Sequence, residues 1–216
     1  MTNRLSHIIL ECQDSSCQFR FPADSNNYNI FCPKCGNMMK TLNVHRTPLN
    51  NILKMKNGFQ DFQVILDNIR SAYNVGSILR TAEGFGINKI ILGGITPTPL
   101  NTKTLKTSLG TEKNISWEYC KNCISYLSNH ASGSYTVIGL ENCRQAKPIW
   151  EVNHFHLKKR IVLIVGNENF GIDPELLDLC DLIVNIPMTG EKKSFNVATA
   201  FGIAAFFLLN RNNFNQ

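Results

Sequence analysis

Long apolar runs are the first thing this sequence lacks. Its longest, near Phe201–Leu209, falls far short of the roughly 18 residues that a membrane span needs. The opening run MTNRLSHIILECQDSS is polar and has no apolar stretch of the kind a secretory signal carries. A soluble, cytoplasmic protein that makes no use of a membrane is therefore expected. With 43% hydrophobic and 18% charged residues, the composition excludes disorder, collagen and coiled coil. Nucleotide signatures are missing as well. No strand-like segment is followed by G-x-G-x-x-G, and no G-x-x-x-x-G-K-[ST] occurs, which argues against a dinucleotide oxidoreductase or a P-loop NTPase. A serine nucleophile elbow is also absent.

What is present is enough apolar material, in 216 residues, for one substantial core and a small appendage. The net charge of +6 is uneven: residues 1–57 hold seven Lys/Arg against three Asp/Glu, the remainder fifteen against thirteen. A basic appendage on a near-neutral body suits a polyanionic partner such as nucleic acid, although plain solubility would also explain it. Eight cysteines in an intracellular chain read as metal ligands or buried thiols rather than disulfides.

Four of them fall early. Cys32-Pro33-Lys34-Cys35-Gly36 has the form of a zinc-knuckle turn, in which two intervening residues let both thiolates reach one ion. Cys12 and Cys17 would complete a four-thiolate site that leaves no open position, so the zinc would be structural. The plain alternative is four unrelated cysteines. Phe19–Phe21 and Tyr28–Phe31 look like the strands of a hairpin between the pairs. So short a segment needs metal-derived folding energy. The expected organisation is a zinc-ribbon-like basic domain at 1–45, a linker at 46–58 with a short helix after Pro48, and a main domain at 59–216.

From Phe59 onward, strand-like and helix-like segments alternate. Phe62–Leu66, Lys89–Leu92, Tyr135–Leu140, Ile161–Val165 and Leu182–Ile186 read as strands. Asn74–Phe85, Thr102–Leu109, Tyr119–Asn129, Pro174–Leu179 and Ser194–Asn210 read as helices. The last is apolar nearly all round and should be buried. Continuous Val/Ile/Leu strands separated by helices mean an α/β domain with a parallel sheet, whose ligands bind at the carboxyl ends of the strands. Cys120-x-x-Cys123 would lie on a helix as packing. His154-Phe155-His156 before Lys158-Lys159-Arg160 reads as a solvated loop or an RNA phosphate contact.

Three loops carry unusual residues: Leu66 to Arg80, Val165 to Ile172, and Ile186-Pro187-Met188-Thr189-Gly190 running to Ser194-Phe195-Asn196-Val197-Ala198. Each follows a strand and precedes a helix, so they should meet at one sheet edge. These segments closely resemble, in order and spacing, the three motifs of the SPOUT-class RNA methyltransferases of the SpoU/TrmH branch: N-x-x-x-x-x-N-x-G-x-x-x-R, G-x-E-x-x-G and I-P-M-x-G…S-L-N-V. Phe195 stands where that family usually has Leu.

The resemblance implies a SPOUT fold with a carboxyl-terminal trefoil knot. It also implies S-adenosylmethionine as cofactor, a homodimer, and methylation of a ribose 2′-hydroxyl in tRNA or rRNA. Leu140, Gly166, Ile186, Met188 and Phe195 would line the cofactor pocket, with Gly166 letting adenosine approach the main chain. Asn74, Arg80, Glu168, Ser194 and Asn196 would form the catalytic centre. Asn74 would anchor its loop or cap the helix, and Glu168 would orient Arg80 or Asn74. Arg80 is assigned to activating the hydroxyl. A guanidinium with a pKa above about 12 is better suited to holding phosphate and stabilising an oxyanion, and its plain alternative is a solvated arginine paired with Glu83. Ser194 has an ordinary reading as a helix N-cap. The rival function is a non-catalytic RNA-binding protein built on a degenerate form of the fold.

Overall fold

The computed structural model describes residues 7–42, 61–130, 133–152 and 157–210. The linker 46–58, with its helix after Pro48, and His154–His156 lie outside the described residues. The described residues form two separate compact units.

The smaller unit is a three-stranded antiparallel sheet of β1 (His7–Cys12), β2 (Arg20–Asp24) and β3 (Met39–Leu42), in the order β2-β1-β3. Its core is small: Leu10, Cys12, Cys32 and Met39 are its buried hydrophobic residues. The central strand β1 was not foreseen, and Tyr28–Phe31 is not a strand. Local polar side chains explain the difference. Asp24 Oδ1 accepts from Asn26 N and Asn29 Oδ1 from Phe31 N, both at 2.9 Å, capturing backbone donors that a ladder would need. The Phe19–Phe21 segment instead continues into β2 and pairs with β1, Leu10 lying opposite Phe21.

The larger unit is built on a seven-stranded sheet in the order β6-β5-β4-β9-β7-β10-β8. Its strands are β4 (Asp61–Asp67), β5 (Lys89–Gly93), β6 (Ser116–Cys120), β7 (Thr136–Leu140), β8 (Lys147–Pro148), β9 (Arg160–Val165) and β10 (Leu182–Asn185). Every neighbouring pair is parallel. Strand β10 sits between β7 and β8, both of which precede it in the chain.

Alternation along the central strands feeds two cores. Val64 and Leu66 of β4 and Leu163 and Val165 of β9 join one face with α1 (Ala72–Gly84) and α5 (Val197–Asn210). Ile65, Val162 and Ile164 join the other with α3 (Cys123–His130) and α4 (Pro174–Leu177). A sheet apolar on both faces must be covered on both, as parallel sheets are.

Three expected boundaries move. Residues 116–120 form edge strand β6, so Cys120 ends a strand and Cys123 begins a helix. Alternating Trp117 and Tyr119 suit a pleated edge better than a helix. Helix α1 starts two residues early, capped by Ser71, whose side chain accepts from Asn74 N. Helix α5 starts at Val197, and it is not buried all round: Ile203 and Phe206 are exposed.

Helix α1 lies against α2 (Thr102–Ser108) through Gly76, where an added Cβ would stand 2.3 Å from the Thr104 carbonyl. Alanine would improve helix propensity by about 1 kcal/mol, yet a backbone contact that cannot move should cost the upper part of about 1–3 kcal/mol. Gly76→Ala should therefore lower the denaturation midpoint. Gly84→Ala, with nothing within 4 Å of its Cβ position, should not. Equal stability of the two variants would show that the helices are not in this close contact.

Candidate functional site

The turns after β4, β7, β9 and β10 leave the sheet at its carboxyl edge, and three of them, those after β4, β9 and β10, are joined by one chain of hydrogen bonds that ends on the Glu168 carboxylate. Glu168 Oε2 accepts from Arg70 N at 2.8 Å. Its Oε1 accepts from Ser71 N at 3.0 Å and from Asn74 Nδ2 at 2.9 Å. Asn74 Oδ1 in turn accepts from Asn196 Nδ2 at 3.0 Å. The Asn196 side-chain oxygen accepts from Ala198 N and Thr199 N, capping α5. Thus Asn196, not Ser194, is the N-cap, and Asn74 is a link between loops rather than a cap.

Partial burial pushes the Glu168 pKa up, but the Arg70 N–H, the Asn74 amide and the Ser71 N–H outweigh it and hold the group below its ordinary 4.5. It stays ionised at neutral pH and orients Asn74. No contact joins it to Arg80 among the described residues.

The loop that carries Glu168 is closed by its own backbone. Asn167 and Gly171 exchange reciprocal hydrogen bonds of 2.9 Å. Buried Asn167 donates from Nδ2 to Asn68 O at 2.6 Å and accepts on Oδ1 from Asn169 N and Phe170 N. A Cβ on Gly166 would lie 2.2 Å from the Gly171 carbonyl carbon. The hairpin itself therefore requires glycine there, and the same residue lines the adjacent cavity. Gly171 has φ +75° and faces the Glu141 carboxylate, which accepts from Ile172 N at 2.9 Å.

Beside this network is a cavity of about 660 Å³. Leu140, Gly166, Ile186, Met188 and Phe195 all line it, as do Glu168, Ser194 and Asn196. Ser194 is exposed and outside the hydrogen-bonded chain. Arg80 does not line the cavity: it is exposed on α1, with no hydrogen bond or ion pair among the described residues, Glu83 included. Sequence reasoning missed Glu141, Asn142, Asn185 and Phe170, which also line the cavity. Glu141 was within reach, being the residue just past β7 at the ligand-binding edge. Asn185 Oδ1 is buried without a partner, while its Nδ2 donates to Asn142 Oδ1 at 3.3 Å.

In the smaller unit the Sγ atoms of Cys12, Cys17, Cys32 and Cys35 lie within 4.8 Å of one another. Cys12 to Cys35 is 3.4 Å and Cys17 to Cys32 is 3.8 Å, against a tetrahedron edge of about 3.8 Å for Zn–S bonds of about 2.3 Å. Desolvation, reinforced by the other three thiols, pushes Cys12 up to about 12. Four thiols this close cannot all ionise without a cation among them. The donor set fits zinc.

Known proteins resemble the larger unit. The profile described as the SpoU rRNA Methylase family matches residues 61–206. The 23S rRNA (guanosine(2553)-2′-O)-methyltransferase RlmP of Bacillus subtilis is 30% identical over 145 residues, covering 67% of this chain and 56% of that protein. The 23S rRNA (guanosine-2′-O-)-methyltransferase RlmB of Xylella fastidiosa is 26% identical, covering 69% of this chain and 58% of its own length. The crystal structure of an AdoMet-bound rRNA methyltransferase from Sinorhizobium meliloti superposes with TM-score 0.65 at 26% identity, covering 73% of this chain and 59% of that one. The chain spans about half the length of the curated relatives it matches.

The state of Glu168 has a measurable signature. A carboxylate with a depressed folded pKa stabilises the fold above its unfolded value of 4.5 and loses that contribution as pH falls through the folded value. Glu168→Gln should cost on the order of 1–2 kcal/mol at neutral pH, a gap that narrows in acid. Denaturation from pH 7 downward checks it; a gap that does not change with pH would mean the carboxylate is not ionised in the fold.

Proposed function

This chain belongs to the SpoU rRNA methylase family, and we propose that it methylates a ribose 2′-hydroxyl of tRNA or rRNA, with S-adenosylmethionine as donor. The observation that carries this reading is the unbroken hydrogen-bonded chain from Glu168 through Asn74 to Asn196, at the edge of a cavity of ligand size. The SpoU match and the relatives named as 2′-O-methyltransferases favour this over a non-catalytic RNA-binding platform. The cavity suits the donor molecule: Leu140, Ile186 and Met188 give apolar walls, and Glu141, Asn142 and Asn185 give polar ones. When bound, S-adenosylmethionine supplies a sulfonium methyl, an electrophile with its own leaving group.

The chain's residues then have distinct tasks. Glu168, saturated with N–H donors, positions Asn74, which positions Asn196. Arg80 holds the target phosphate and stabilises the ribose oxygen as charge develops on it; its guanidinium is too basic to take the proton. Ser194, exposed at the cavity, contacts the ribose. Catalysis comes mainly from positioning.

The same reading takes the domains as 1–45, 46–58 and 59–216, and takes β10, lodged between β7 and β8, as part of a trefoil knot. It places a structural zinc on Cys12, Cys17, Cys32 and Cys35, supported by the sulfur geometry. It assigns a homodimer, supported by Ile203 and Phe206 exposed on α5, and a cytoplasmic location. Among the described residues no helix is long and apolar enough to cross a membrane.

Calorimetric titration with S-adenosylmethionine, followed by methyl transfer to RNA from cells lacking the protein, tests the function. The product should resist alkaline cleavage at the modified linkage; base methylation would refute the reading. Arg80→Ala should lower turnover roughly a hundredfold or more while leaving cofactor affinity unchanged, and Arg80→Lys, which loses the planar fork, should rescue little. Metal analysis should find about one zinc per chain, released when Cys32 and Cys35 become Ser while the larger unit stays folded. A metal-free protein with an ordered smaller unit would exclude the zinc site.

A further inference from the structure

Phe170 is 84% exposed, although it lines the cavity. Its position does not come from a loose loop. The hairpin beneath it is closed by the reciprocal Asn167–Gly171 bonds, its own N–H donates to Asn167 Oδ1 at 3.2 Å, and Asn167 is buried and tethered to Asn68. The backbone thus holds an apolar ring outward, two residues from Glu168. No other ring contacts it among the described residues. At 84% exposure the ring packs on almost nothing of the protein's own, and it shares the cavity lining with Ser194 and Asn196, which are exposed as well.

We propose that Phe170 is a stacking platform for a base at or next to the methylated nucleotide, and that the enzyme therefore takes RNA in which that nucleotide is unpaired. The inference rests on the methyltransferase reading. The requirement is not implied by the reaction, because A-form duplexes display their 2′-hydroxyls in a wide, shallow minor groove where the oxygen could be reached without unstacking. A flat hydrocarbon face at the entrance offers nothing to a paired duplex, whose base faces are covered. It offers a splayed-out base the same contact that aromatic platforms give single strands.

Two measurements test this. In the first, Phe170→Trp is titrated with a short mixed-sequence RNA, with the same RNA annealed to its complement, and with S-adenosylhomocysteine alone. Wild type, carrying Trp117 and Trp150, serves as the background. Single strands should quench the added indole strongly, duplex weakly, and S-adenosylhomocysteine hardly at all. Equal quenching by duplex, or quenching by S-adenosylhomocysteine without any by RNA, would overturn the proposal.

In the second, methyl transfer to RNA from cells lacking the protein is compared across variants. Phe170→Ala should raise KM for RNA roughly tenfold, well beyond any change in S-adenosylmethionine affinity. Phe170→Trp should restore KM and Phe170→Leu, similar in bulk but without a π face, should not. A wild-type KM in Phe170→Ala would refute stacking. Wild-type protein that transfers no methyl group to any RNA would instead refute the function, and the quenching result would still decide the platform.

Discussion

A carboxylate has no hydrogen to donate, and that constraint on Glu168 propagates through the site. Asn74 must turn its amide nitrogen toward it, which leaves the Asn74 oxygen for Asn196. Asn196 must then present its nitrogen to Asn74 and its oxygen to the free amides at the start of α5. The chain of bonds has one direction, from a helix N-terminus to an anion, so neither amide can flip without breaking two contacts. Three segments distant in sequence are thereby fixed relative to each other. The groups left out of the network, Arg80 and Ser194, are exposed and have no hydrogen-bonding partner among the described residues, which leaves them available to a substrate.

Close backbone approach is the second constraint. Gly166 admits the Gly171–Ile172 backbone, Gly171 admits the Glu141 carboxylate, and Gly76 admits the Thr104 carbonyl. The first two shape the loop that carries Glu168; the third sets α1 against α2. A side chain at Gly166 or Gly76 would displace backbone, and one at Gly171 would displace the Glu141 carboxylate; in a close-packed interior such a shift is transmitted to neighbours. The glycines serve the protein's own packing, and the cavity forms beside them.

Much of this was legible because it followed from periodicity. Val/Ile/Leu runs reported the central strands, and motif-bearing loops after strands reported one sheet edge. Leu140, Gly166, Ile186, Met188 and Phe195, which line the cavity, follow from the resemblance of those loops to the SpoU/TrmH motifs and not from periodicity. Other features depend on partners the sequence does not advertise. Strand β1 exists because β2 and β3 flank it; edge strand β6 was hidden by a pattern shared with the helix after it. The reason for Gly166 is a contact five residues away, and Glu141 was passed over because a lone acid after a strand ordinarily reads as surface. Helix α5 was read as fully buried from its composition, yet composition cannot say which of its faces meets the sheet.

Charge placement separates the tasks of the two units further. Residues 7–42 hold Arg20, Lys34 and Lys40 against Glu11, Asp14 and Asp24, so the described ribbon has no basic excess. Arg20 and Lys40 both pair with Glu11. Four thiolates around one divalent cation would bring that balance to −2, three minus three minus four plus two. The excess that the sequence assigned to the amino-terminal quarter therefore resides in Arg4, Arg46, Lys54 and Lys56, none of which is among the described residues. Long-range attraction of RNA phosphates, with its salt dependence, would come from those residues. The described ribbon, by contrast, carries its exposed apolar side chains Tyr28, Phe31 and Met38 among polar ones, with its cations already paired to Glu11 at Arg20 and Lys40, so it has little free charge with which to draw in a polyanion.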